Sequence, residues 1–495
     1  MRPESTGSDA ALELVPRPAR IERLGGWMDL EPTVQTLDAE AAEARGHLTS
    51  RAVGVPLRPV AEGGGIRLRV DPELTRELGA EGYRLTVDDH GVALVGAHAA
   101  GLHYGVETLA ALIDTHPPSR LPRLVIEDRP RYSWRGMHLD VGRHFFDVDF
   151  VRKYIDLLAL HKLNRFHWHL TEDQGWRLAI AGRPRLTTVG AFRSEDGASV
   201  GGYYTAAQVR AVVEYARARH VVVVPEIEMP GHAMAALASY PELSCTGGPF
   251  AVATEWGVFD DVFCAGNDAT FAFLFEVLDE VLALFPSEFI HIGGDECPKV
   301  RWRQCASCQA RMRAEGLRNE DELQSWFLRR VGRHLAERGR RMIGWDEILE
   351  GGLAPGAAVM SWRGTAGGVA AARAGHDVVM SPTSHCYFDY KQVDSSEEPG
   401  AHGVIPLATV YTFDPTPPEL SVTEARHVLG GQGNVWTERM RSGAEVETMT
   451  IPRICALAET LWSPPEARHY DDFRTRLTGH VARLVRRGYR SRGLE

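Results

Sequence analysis

The chain of 495 residues has almost no lysine: Lys153, Lys162, Lys299 and Lys391 stand among 55 basic residues, and the rest are arginine. We read this bias as genome composition. Basic charge is also in deficit, with 66 acidic residues and a net charge of −11, which disfavours a nucleic-acid or anionic-membrane surface as the main partner. No apolar run approaches the roughly 20 residues that a membrane-spanning helix needs. Cysteine is scarce as well. Seven scattered thiols, at 245, 264, 297, 305, 308, 386 and 455, are too few for a disulfide scaffold. Cys245 and Cys264 flank a glycine-rich loop and are a candidate bridge in an oxidising compartment. Cys305-x-x-Cys308 has zinc-ligand spacing, but no second matching pair is evident, so no structural metal is expected. The opening MRPESTGSDAALELVPRPAR lacks an apolar core of signal-peptide length, which predicts a cytoplasmic location unless a leader has been removed.

What is present reads as two units. Residues 1–130 predict a small α+β accessory domain. Ile66–Val70 alternates apolar and basic residues, and Tyr83–Val87 and Val92–Val95 form a hairpin around Asp88-Asp89-His90-Gly91. Ala99–Ile113 carries apolar residues at helical spacing, Pro117-Pro118 punctuates its exit, and Leu124–Ile126 is a last strand. Residues 131–495 change to short apolar strands separated by helices. Eight strands are predicted: Trp134–Asp140, Arg165–Leu170, Val221–Ile227, Phe289–Ile292, Met342–Trp345, Ala358–Trp362, Asp377–Ser381 and Val428–Gly433. Eight such repeats with no dinucleotide fingerprint or phosphate loop predict an α/β fold, a (β/α)8 TIM barrel, rather than an open sheet.

The active site of such a barrel lies at the C-terminal ends of its strands. The residues found there are Asp140 and Arg143 in LDVGRHFF; His169, Glu172 and Asp173 in FHWHLTEDQGWR; and Glu226, Glu228 and His232 in VPEIEMPGHA. They continue with Asp295 and Glu296 in HIGGDECPK, Trp345, Trp362, Tyr387 and Asp389, and Trp436 and Glu438 in QGNVWTE. Carboxylates, one arginine and three indoles around one mouth describe a carbohydrate site, since sugars offer C–H faces to rings and hydroxyls to charged acceptors. His167 and His169, on one face of a strand, raise a metal reading; without assignable third and fourth ligands, hydrogen bonding is the simpler role. Asp295 and Glu296 are neighbours on one loop. That is a poor arrangement for carboxyls on opposite faces of a glycosidic bond. It suits a substrate that supplies its own nucleophile, a 2-acetamido carbonyl.

As a set, HIGGDECPK, LDVGRHFF, HWHLTEDQGW, EIEMPGHA and VWTE resemble glycoside hydrolase family 20, the β-N-acetylhexosaminidases, and the likeness spans the whole chain. The resemblance implies an exo-acting, retaining enzyme that removes terminal β-linked GlcNAc or GalNAc through an oxazolinium intermediate, with no cofactor and no metal. It implies Glu296 as general acid/base, Asp295 as the residue orienting the acetamido group, and Tyr387 as hydroxyl donor to the acetamido oxygen. Trp345, Trp362 and Trp436 would wall the pocket, and Arg143, Asp389 and Glu438 would bind the sugar hydroxyls. Glu172, Asp173 and His232 would support the acidic pair, and Glu296 is expected to hold its proton through burial and the nearness of Asp295. Glu172 stands where the family often has Asp, and Phe413 where a tryptophan of an outer subsite is expected. The implied partner is an N-acetylhexosamine-terminated oligosaccharide or glycoconjugate, with neither nucleic acid nor membrane, and the protein a monomer or homodimer. The rival readings are a disaccharide-releasing biosidase, a sugar-binding barrel without catalysis, and a metal-dependent barrel hydrolase using His167 and His169.

Overall fold

The structure is a computed structural model that describes residues 12–52, 55–115 and 120–494. Pro117-Pro118 and the first eleven residues lie outside them. Seven strands form the N-terminal sheet: Arg20–Asp29, Thr33–Thr36, Arg58–Val60, Ile66–Val70, Tyr83–Asp88, Gly91–Gly96 and Arg120–Asp128. Their spatial order is first, seventh, fifth, sixth, fourth, second, third. The predicted hairpin closes with Asp88 opposite Gly91, and Asp88 Oδ1 accepts the His90 N–H at 2.8 Å. Helices Ala41–Arg51 and Ala99–Thr115 bury Leu48, Leu102, Val106 and Leu109 against this sheet. The sequence pattern had not shown the first three strands or the first helix. The first strand, RIERLGGWMD, is mostly solvent-facing and bulges between Arg23 and Trp27, so it lacks the period-two alternation of a half-buried strand.

Eight parallel strands then close a barrel in chain order: Trp134–Asp140, Arg165–His169, Val222–Glu226, Phe289–His291, Arg341–Trp345, Ala358–Ser361, Val378–Met380 and Val428–Gly433. The register sets Asp140 beside His169, His169 beside Glu226, and Glu226 beside His291, one polar row at the C-terminal rim. Beneath it Trp134, Val224, Phe289, Ile343, Met360 and Val379 fill the interior. The surrounding helices start on capping side chains that satisfy free N–H groups: Asp147 for Val148–Leu160, Thr205 with Gln208 for Ala206–Arg217, and Asn267 for Asp268–Leu284. The closing helix Tyr470–Arg486 buries Phe473, Leu477, Val481 and Leu484, the face its spacing predicts. Among the described residues no helix is long and apolar enough to cross a membrane.

The two units meet around Asp128. Its carboxylate accepts from Tyr83 Oη at 2.6 Å, Lys162 Nζ at 2.9 Å and Trp462 Nε1 at 2.9 Å, all buried. One of the four lysines is thereby spent on the junction, with its ammonium 4.5 Å from the Trp462 ring centre.

Candidate active site

Just past the fourth strand come Gly293 and Gly294, both at positive φ, and the chain turns again at Glu296, φ 42°. A side chain at 293 would collide with Glu228, whose Oε2 would lie 1.6 Å from the added carbon. The left-handed glutamate costs about 1–2 kcal/mol. This double turn presents Asp295 and Glu296 side by side at the barrel mouth. His232, from the loop after the third strand, joins them: its Nε2 is 3.6 Å from Asp295 Oδ2 and 3.6 Å from Glu296 Oε2. The other ring nitrogen, Nδ1, faces Glu172 Oε1 at 3.1 Å and Asp173 Oδ2 at 3.2 Å. Burial alone would lower the imidazole pKa, but Glu172 and the hydrogen bonds to Asp173 and Glu172 raise it well above the usual range. The group is an imidazolium that links four carboxyls.

That charge corrects one expectation. Glu296 is not the acid with the raised pKa. His232, 3.6 Å away, holds it below the ordinary glutamate value, and its side chain is 41% exposed, too open for desolvation to prevail. Burial acts instead on Asp295, which with the charges of Glu226 and Glu296 is pushed up to about 6 against the opposing pull of His232. Asp295 Oδ1 is buried without a hydrogen-bond partner among the described residues, as is Asp389 Oδ1.

A cavity of about 440 Å³ opens over the pair, within the usual range for a small-molecule site. Nine of the twelve predicted residues line it: Arg143, His232, Asp295, Glu296, Trp362, Tyr387, Asp389, Trp436 and Glu438. Tyr387 lies nearly parallel to Trp362, with ring centres 6.1 Å apart, and Trp436 is 6.5 Å from Tyr387. Arg143 is fixed from three sides. Asp140 Oδ1 accepts its backbone N–H at 3.0 Å, Glu172 Oε1 lies 2.8 Å from Nη2, and the guanidinium sits 5.0 Å from the Trp436 ring centre. Asp140 also accepts the Thr437 N–H at 3.1 Å, which ties the loop of Arg143 to the loop of Trp436 and Glu438. Burial and the neighbouring Glu438 drive Asp389 well above the usual carboxylate range.

The other three predicted residues stand behind the wall. Glu172 and Asp173 hold His232 and Arg143 from below, and the longer Glu172 side chain reaches both. Trp345 is buried under the cavity floor, 5.7 Å from Trp436, and donates its indole N–H to Glu226 Oε1 at 2.9 Å. Phe413 is also buried, beside Gly431, and forms no outer subsite. His167 and His169 do share a face, and both turn inward to Glu226, as does His291. Nε2 of His167 is 2.9 Å and Nδ1 of His291 2.7 Å from that carboxylate, and His169 forms its own close contact. Burial would raise the Glu226 pKa, yet His291, His169 and His167 hold it well below the usual range. Of the three, His169 hydrogen-bonds to that carboxylate, while His167 Nδ1 accepts from Gln432 Nε2 at 2.8 Å and His291 Nδ1 accepts the Gly293 N–H at 3.1 Å.

Several lining residues were not foreseen. Trp256, Gly257 and Val258 come from an irregular loop between Cys245 and Cys264; Thr383, Tyr390, His402 and Arg439 complete the rim. The Trp-Gly pair in a segment without helical or strand periodicity was the available sign. Glu347, which accepts the Trp362 indole N–H at 2.8 Å, is pushed up to about 8 by burial and by Asp295. Its clue was its position two residues past the fifth strand.

The model for the glycosyl hydrolase family 20 catalytic domain matches residues 132–465, and that for domain 2 of the same family matches residues 11–129. A beta-hexosaminidase of Porphyromonas gingivalis is 48% identical over 86% of this chain, which spans 56% of that relative's length. A beta-N-acetylhexosaminidase of Cellulomonas fimi is 35% identical, with 96% of this chain and 95% of the relative covered. The solved structure of a family 20 beta-N-acetylhexosaminidase from Streptomyces coelicolor superposes with a TM-score of 0.86 at 34% identity, covering 98% of both chains.

Proposed function

This chain belongs to glycosyl hydrolase family 20, and from that premise we propose that it is an exo-acting β-N-acetylhexosaminidase working by substrate-assisted, retaining hydrolysis. The observation that carries the reading is the placement of Asp295 and Glu296. The two acids are adjacent on one loop, both 3.6 Å from the same His232 nitrogen, and the more buried of them keeps an unpartnered oxygen. Carboxyls so placed do not flank a scissile bond, so the attacking atom comes from the sugar.

The acetamido carbonyl oxygen attacks C1 as the glycosidic bond breaks, and Glu296 delivers its proton to the leaving oxygen. Asp295 accepts the acetamido N–H and balances the positive charge of the oxazolinium ring. Tyr387 donates its hydroxyl to the carbonyl oxygen and so favours the attacking conformer. Glu296, now ionised, takes a proton from water, which opens the ring at C1 from the face the leaving group vacated. Two displacements return the original anomer. In the free protein His232 keeps Glu296 ionised; a sugar seated over the acid removes its water and raises its pKa, so the proton is loaded as the substrate binds. Arg143, Asp389 and Glu438 bind hydroxyls of the terminal sugar and close the pocket on that side, which favours single-sugar release over a biosidase.

Hydrolysis of a chromogenic β-GlcNAc glycoside by wild type, Glu296→Gln and Asp295→Asn tests the reading. Turnover by wild type that falls at least about a hundredfold in each variant is expected. Well-folded wild type inert toward every 2-acetamido glycoside would overturn it in favour of a binding barrel.

A further inference from the structure

The second pair missing from the sequence pattern is supplied by the fold. Cys245 and Cys264 border the loop that brings Trp256 to the cavity, and the neck of that loop is closed by pairing of Ser244 with Phe263 and by a Cys264 N–H to Leu243 carbonyl bond of 2.9 Å. Cys305 caps helix Ala306–Glu315, and Cys308 lies in its first turn. The two pairs meet. Cys264 Sγ is 3.6 Å from Cys308 Sγ and 3.8 Å from Cys305 Sγ; Cys245 Sγ is 3.8 Å from Cys308 Sγ; all four sulfurs lie within 4.8 Å of one another.

We propose that Cys245, Cys264, Cys305 and Cys308 bind one structural Zn²⁺ that fastens the Trp256 loop to the start of helix Ala306–Glu315.

The argument is geometric. A zinc ion about 2.3 Å from each of four thiolates spaces its sulfurs roughly 3.8 Å apart along the edges of a tetrahedron. The observed spacings match that figure, and they are nearly twice the roughly 2.05 Å of a disulfide. All four thiols are free, so the Cys245–Cys264 bridge considered from the sequence is not formed. Four ligands from two distant segments also make a closed site with no open coordination position, the pattern of structural rather than catalytic zinc. Cys305 and Cys308 have the two-residue spacing of zinc ligands and open a helix, whose N-terminus favours thiolate charge. The surroundings are built for close approach. A Cβ on Gly266 would lie 2.2 Å from the Ser307 carbonyl carbon, so only glycine lets the Cys264 segment reach the Cys308 turn. Cys264 and Cys308 are buried, and Cys245 and Cys305 are half-buried at the mouth. The same two segments are fastened again nearby, where Arg301 pairs twice with Asp261 at 2.9 Å and Trp302 Nε1 donates to the Phe263 carbonyl at 3.0 Å.

The site is distinct from the chemistry. None of its ligands lines the catalytic cavity, so the ion takes no part in hydrolysis and holds the rim loop in place.

The test is metal analysis of the purified chain, which is independent of substrate turnover. One zinc per wild-type chain is expected, retained through gel filtration in metal-free reducing buffer and released when a mercurial caps the thiols. The Cys305→Ser/Cys308→Ser variant is expected to carry none. Should that variant not fold, wild type produced with cobalt decides: a thiolate-to-metal charge-transfer band with the visible bands of tetrahedral Co²⁺ supports the site. Substoichiometric zinc in folded wild type, disulfides among these four cysteines, or zinc retained by a folded double variant overturns the proposal.

Discussion

Arg143 Nη2 lies 2.8 Å from Glu172 Oε1, and the same carboxylate oxygen lies 3.1 Å from His232 Nδ1. One acid therefore holds both the arginine that reaches into the cavity and the histidine that charges the acidic pair. Its removal takes one counter-ion from each of two buried cations, leaving Arg143 beside Asp140 and Glu438 and His232 beside Asp173, Asp295 and Glu296, a defect worth about 1–3 kcal/mol. Glu172→Ala is expected to lower the urea midpoint and to reduce kcat/KM by at least about tenfold, while Glu172→Asp recovers part of both. An unchanged midpoint would show that the pair contributes nothing.

The pH dependence follows from His232. Asp295, at about 6, is ionised above that value and neutral below it, so kcat/KM falls as pH drops through 6. The His232 cation lowers the Asp295 pKa. Replacing it in His232→Asn removes that effect, raises the Asp295 pKa further, and moves the acidic limb to higher pH. A limb that stays in place, or moves down, would contradict the electrostatic role given to His232.

Lys162 and Asp128 make a second checkable pair, remote from the cavity. Both are buried where the N-terminal sheet meets the barrel, 2.9 Å apart. Lys162→Met leaves Asp128 without its cation and is expected to destabilise the protein by about 3–5 kcal/mol in urea unfolding. Aryl glycosidase activity of the folded fraction should be unchanged.

Trp256 stands at the cavity rim, 5.5 Å from the His144 ring centre and 5.2 Å from the Arg193 guanidinium. Trp256→Ala is expected to raise KM for a β-linked disaccharide roughly three- to tenfold, the value of one aromatic contact, with kcat little altered. A fall in kcat with KM constant would place the indole in the chemistry instead.

Much of this was legible because it is local. The eight strands are short apolar runs, and reading three to eight residues past their ends led to Arg143, His232, Asp295, Glu296, Asp389 and Glu438, all on one cavity. What escaped depends on the third dimension. The bulged, exposed strand Arg20–Asp29 has no periodicity to read. The pKa order of Asp295 and Glu296 is set by which acid the turn buries and which it opens to His232. The four-cysteine cluster joins a loop neck to a helix start across 41 residues, Cys264 to Cys305, and spacing along the chain cannot show that. Trp345 was read as a wall because it ends a strand, but strand alternation sends its ring into the floor, onto Glu226.

The measurement that tests the central claim most directly is the rate of aryl β-glucosaminides whose N-acetyl group carries none, one, two or three fluorines. If the acetamido oxygen is the nucleophile, each fluorine drains its electron density and log kcat/KM falls steeply along the series. A flat series would mean that the attacking atom belongs to the protein or to water, and would contradict the account given for Asp295, Glu296 and Tyr387.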